Sequence, residues 1–99
     1  MKPHPAEPTL SALAFITGNP ALWPAGFVWD FRFTAHCAIG LAALTWPQAF
    51  PDGPCFDRAQ ELFDLNDAWA EHLFAPGYVL TMTHEQVAAR IARYAEWVG

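Results

Sequence analysis

Charge is scarce in this 99-residue chain, where 15% of residues are Asp, Glu, Lys or Arg, against about 25% in an average globular protein. Basic residues are scarcer still: five Lys and Arg stand against ten acids, for a net charge of −5. That balance excludes direct nucleic-acid binding of the usual kind, which needs clustered cations to neutralise phosphates. The two cysteines, Cys37 and Cys55, are too few for a secreted disulfide framework, so reduced thiols are expected. The longest apolar run, residues 35–46, falls well short of the roughly 20 residues of a membrane span. The opening Met1-Lys2-Pro3-His4-Pro5 carries no apolar signal region, and residues 10–16 are too short for one. These absences lead to the expectation of a cytoplasmic protein. There is also no Gly-rich phosphate loop, no H-E-x-x-H and no G-x-S-x-G. His4, His36, Cys37, Cys55, His72 and His84 never recur at paired ligand spacing beyond the adjacent His36-Cys37, so neither a metal nor a cofactor is expected.

Apolar residues, by contrast, are plentiful at 54%, with five Trp, eight Phe and two Tyr. Each aromatic can bury about 150–250 Å². Together they exceed what the interior of one small domain can hold. Some are therefore expected at the surface, as area for a partner.

The chain reads as a Pro-rich arm over 1–8 and a single compact domain over 9–99. Thr9 or Ser11 opens a first helix, which Gly18 should end in a left-handed cap ahead of Asn19-Pro20. Phe27, Trp29, Phe31 and Phe33 alternate with Val28, Asp30 and Arg32, the period of a half-buried strand. Its expected mate is 78–82, the other run with strand composition. Thr34 is expected to cap a helix to about Thr45, buried through Cys37, Gly40, Leu41 and Leu44, with Trp46-Pro47 ending it. Pro54 is placed at the first position of a third helix. Asn66 or Asp67 should cap a fourth, and Thr83 with Gln86 forms a capping box for a last one carrying Val87, Ile91, Tyr94 and Val98 inward and Arg90 and Arg93 outward. The expected class is α+β, mainly α: four or five short helices with one two-stranded β-ribbon, 27–33 with 78–82.

The acids are concentrated. Between Asp52 and Glu71 there are six, with Arg58 the one base, a local balance of −5; outside that stretch four acids and four bases cancel. The helix pair over 58–74 has helix-turn-helix spacing, but its second helix reads Asn66-Asp67-Ala68-Trp69-Ala70-Glu71 and would repel phosphate where a recognition helix must attract it. Asp57, Glu61 and Asp64 stand at i, i+4 and i+7, and Asp67 and Glu71 at i, i+4, so two acidic stripes are expected. Such stripes suit a basic protein groove.

One nucleophile has context. With Thr34 as cap, Cys37 would fall in the first helical turn, where amides and the dipole lower a thiol pKa. Residues 33–41 loosely resemble the strand-to-helix step that carries the nucleophile in papain-like and cell-wall-peptidase folds. His36 points elsewhere, though, and only His72 and His84 could supply a base.

The run Trp23-Pro24-Ala25-Gly26-Phe27-Val28-Trp29-Asp30-Phe31, followed by Cys37-Ala38-Ile39-Gly40-Leu41-Ala42, resembles a signature of small uncharacterised proteins of bacteria and their phages. The resemblance continues through Phe63-Asp64-Leu65 and the Thr83 helix. It implies a bacterial or mobile-element origin and brings no catalytic residues.

The sequence therefore leads to a small acidic, non-enzymatic protein-interaction module. Asp57, Glu61, Asp64, Asp67, Glu71 and Trp69 would dock on a partner with a basic surface, such as a nucleic-acid-binding protein, without nucleic acid or membrane contact. One concrete version is a phage or mobile-element inhibitor of a host nucleic-acid-handling complex. The alternatives are a cysteine hydrolase or transferase using Cys37, and a structural homodimer sealed by tryptophans.

Overall fold

A computed structural model of the chain describes residues 7–30, 36–74 and 82–98. They form five helices: α1 (Leu10–Thr17), α2 (Ala38–Thr45), α3 (Phe56–Leu62), α4 (Asp67–Phe74) and α5 (His84–Val98), with single 3₁₀ turns at Pro20–Leu22 and Pro47–Ala49. Among the described residues there is no strand, so the expected ribbon is corrected to an all-helical arrangement.

The starts of the helices follow local chemistry. Thr9 caps α1, its Oγ1 accepting from the Ala12 amide at 3.1 Å. Asn66 caps α4, its Oδ1 accepting from the Trp69 amide at 2.8 Å. The box at α5 closes both ways: the Thr83 amide donates to Gln86 Oε1 at 3.0 Å and the Gln86 amide to Thr83 Oγ1 at 3.2 Å. Helix α3 begins later than expected, at Phe56 with Cys55 at the N-cap, so Pro54 precedes it rather than opening it. Helix α2 likewise begins at Ala38, with Cys37 at the N-cap position; Thr34, its expected cap, lies outside the described residues.

The core runs through all five helices: Leu13 and Ile16 of α1, Ile39 and Leu41 of α2, Ala59 of α3, Leu73 of α4, and Val87 and Ile91 of α5, with Trp46 closing it. Ala38 to Ala43 are buried without interruption, so α2 is a central helix with no polar stripe. Leu44, expected inward, is instead exposed.

The most extensive helix–helix packing joins α1 to α5. Gly18 explains how closely they approach. Its φ is −81°, so it is not the left-handed cap expected. A Cβ there would stand 3.3 Å from Ala88 Cβ, so a larger residue would push α5 away by a few tenths of an ångström.

The aromatic run after Gly26 keeps its alternation without a ladder. Phe27 and Trp29 are half-buried while Val28 is exposed. The Asp30 amide donates to the His36 carbonyl at 2.8 Å, and His36 Nδ1 lies 3.1 Å from the Val28 carbonyl. These two contacts join positions six and eight residues apart in the chain. The tie to the second half is a side chain: Trp29 Nε1 donates to the Met82 carbonyl at 2.8 Å. Trp29 stacks on Trp23 with ring centroids 6.2 Å apart, and His84 of α5 packs edge-on to both. The rest of the expected ribbon, residues 31–33 and 78–81, lies outside the described residues.

Candidate functional site

Helix α4 carries the side chains that matter most, and it divides them. At about 100° per residue, Asp67 and Glu71 each stand about 160° around the helix from Trp69. Ala70, Leu73 and Phe74 occupy the buried face between these flanks. Helical phase thus sets Trp69 on a different flank from Asp67 and Glu71: one helix separates an acidic flank from an aromatic one.

The acidic flank faces α3. Gln60 Nε2 of α3 donates to Asp67 Oδ1 at 2.7 Å across the corner. All six acids from Asp52 to Glu71 are exposed. Among the described residues Glu61 alone of these is in an ion pair, with Arg58 at 2.7 Å. Exposed pairs of this sort contribute at most about 1 kcal/mol. Arg58 is also committed inward, its Nε donating to the Ala49 carbonyl at 2.7 Å.

Asp64 departs from the expected stripe. Helix α3 stops at Leu62, and Asp64 adopts φ 55°, the one non-glycine residue described with positive φ. Around it the Leu65 amide donates to the Gln60 carbonyl at 2.9 Å and the Asp64 amide to the Glu61 carbonyl at 3.2 Å. This is a Schellman closure with aspartate where glycine is the usual residue. Left-handed backbone costs most L-residues about 1–2 kcal/mol, with aspartate among those that tolerate it best, and a carboxylate beside a helix C-terminus opposes the dipole.

The aromatic flank faces α5. Trp69 lies 4.4 Å from Tyr94 and 5.6 Å from Trp97, and Tyr94 lies 5.9 Å from Trp97, all between ring centroids. His72 sits edge-on to Trp69 at 5.3 Å. With Arg90 and Arg93 these residues line a cleft of about 490 Å³. Trp97 is 72% exposed, although two rings hold it in place. On α5 the two arginines and Trp97 fall within about 60° of arc. Glu96, about 60° around the helix from Arg93, borders the α1-facing side with Ala14 and Phe15.

Cys37 is buried, with 3% exposure. Burial pushes its thiol pKa up, against smaller lowering effects of hydrogen bonds with the backbone of Ile39, Gly40 and Cys37 itself. At the N-cap of a buried helix it is placed as a packed thiol. His72 lies in the α4–α5 cleft and His84 against Trp23 and Trp29. Among the described residues no three His, Cys, Asp or Glu side chains converge to hold a metal ion, and no helix is long and apolar enough to cross a membrane.

Sequence reasoning missed the cleft. The signal was present in the spacing: Arg90 and Tyr94, like Arg93 and Trp97, are at i, i+4, and Tyr94 and Trp97 at i, i+3. No protein-family model matches the chain, and no curated protein or solved structure matches it either.

Proposed function

We propose that this chain is a small acidic, non-enzymatic interaction module that docks the α3–α4 corner on a basic surface of a protein partner. A phage or mobile-element inhibitor of a host nucleic-acid-handling complex is one such module. The observation that carries the reading is Asp64. An aspartate kept where glycine would be favoured on both backbone and electrostatic grounds is a local cost, and among the described residues its carboxylate has no hydrogen-bond partner to offset it. A role for its charge outside the fold accounts for it. The exposure of Asp57, Glu61, Asp67 and Glu71 around it supports the same reading, since opposite potentials steer partners together.

The test is calorimetric titration with an arginine-rich peptide at two salt concentrations. Two triple variants are compared, Asp57→Asn/Glu61→Gln/Asp64→Asn and Glu7→Gln/Glu85→Gln/Glu96→Gln. Each removes three negative charges from −5, leaving −2. The first should lose at least about tenfold in affinity, with a flattened salt dependence. The second should change little. Equal losses would reduce the effect to net charge and end the proposal.

A further inference from the structure

The α4–α5 cleft has a chemistry of its own, independent of acidic docking. We propose that it is a binding site for an aromatic carboxylate, taken either free or as the C-terminal residue of a peptide. Its volume of about 490 Å³ falls in the range of small-ligand sites. The Trp69–Tyr94–Trp97 cluster lines it, and the two guanidinium groups stand beside Tyr94 and Trp97 on the same face of α5.

Those cations are the notable part. Of the arginines described, Arg58 is bound to Glu61 and to the Ala49 carbonyl. Arg90 makes one contact, Nη1 donating to the His72 carbonyl at 3.3 Å. Arg93 is exposed and makes no hydrogen bond or ion pair among the described residues. In a chain of net charge −5, the two arginines with no ion pair among the described residues thus border one aromatic cluster. A guanidinium fork matches a carboxylate in two parallel hydrogen bonds. Trp97, held by Trp69 and Tyr94 yet 72% exposed, offers a ring face already in position, so little ordering is needed on binding. A nucleic-acid strand is a poor fit, because two cations in a net-negative field cannot neutralise a run of phosphates. A single anionic group with an aromatic body fits the ring face and the guanidinium groups beside it.

The experiment follows the indole N–H resonances of the five tryptophans by NMR during titration. Three probes are used: N-acetyl-tryptophan, its neutral amide, and the peptide Gly-Gly-Trp with a free C-terminus. The resonances of Trp69 and Trp97, identified with Trp69→Phe and Trp97→Phe variants, should move with the acid. The amide should bind about tenfold or more weakly. Arg93→Gln should weaken the acid by about tenfold while the other indole resonances stay in place, showing an intact fold. Tighter binding of Gly-Gly-Trp than of N-acetyl-tryptophan identifies a peptide terminus as the source, and the reverse identifies a free ligand. The Asp57→Asn/Glu61→Gln/Asp64→Asn variant should bind the acid as the parent does, so failure of the docking reading leaves this one standing. Equal binding of acid and amide would overturn the proposal. So would an absence of shifts up to about 10 mM probe, weaker than a built site of this size should be, or shifts of the Trp97 indole produced by protein concentration alone, which would make the cleft a contact between copies.

Discussion

The two flanks of α4 present opposite solutions to the same problem, how to keep side chains at the surface of a very apolar small protein. On the α3 side, Asp67 and Glu71 are exposed carboxylates with no ion pair among the described residues, backed by Asp57, Glu61 and Asp64. On the α5 side, Trp69, Tyr94 and Trp97 lean on one another and leave a ring face wet beside two arginines. The first flank can attract a partner at a distance but offers little apolar area. The second offers area and shape but a short-ranged, local positive charge. Exposed negative charge and exposed aromatic area are separated onto two sides of a single eight-residue helix. One partner with a flat basic surface would meet the first without touching the second.

The comparison breaks most visibly at the tryptophans. Trp69 is half-buried and packed on three rings, so Trp69→Ala should cost about 2–3 kcal/mol in denaturant unfolding, below the full-core range for a large aromatic. Trp97→Ala should cost less than about 1 kcal/mol, because most of that ring is already in water. Similar losses for the two would mean that Trp97 serves the fold and not a ligand. Asp64 sharpens the acidic side. Replacing it with glycine should raise stability by about 1 kcal/mol while weakening the arginine-rich peptide, and a loss of stability would show that its charge is used within the fold. The smallest effect concerns Cys37, which belongs to neither flank. Its folded thiol pKa is raised by burial, so the folded state holds the proton more tightly than the unfolded chain does. The stability that follows is complete below the ordinary thiol value of about 8.5 and declines as pH rises through it. Cys37→Ala should remove that alkaline slope, and native-state alkylation of Cys37 should be slow. A slope that survives the substitution would assign it elsewhere.

Much of this arrangement was legible from residue order alone, where the chemistry was local. Thr9 and the Thr83–Gln86 box mark helix starts because a hydroxyl or amide side chain three residues from an orphan amide has few other uses. The surface position of the six acids followed from their charge. What failed was whatever depended on a partner far along the chain. The alternation of Phe27 and Trp29 is real, but the contact across 53 residues is one indole N–H to one carbonyl, and alternation cannot distinguish that from a ladder. Gly18 carried the composition of a left-handed cap, whereas the packing of Ala88 against it is what calls for glycine. Trp69 was grouped with the acids by proximity in sequence, although its own helical phase sets it on the other side. The cleft needed α5 to be laid against α4, and spacing within each helix says nothing about which neighbour it will meet.

The claim that α4 presents two independent surfaces is tested most directly by mapping amide and indole NMR shifts with both probes on the same sample. The arginine-rich peptide should move backbone amides within residues 57–71 and leave the Trp97 indole unmoved, and N-acetyl-tryptophan should do the reverse. If both probes move the same set of resonances, or if either displaces the other, the two-surface arrangement is wrong.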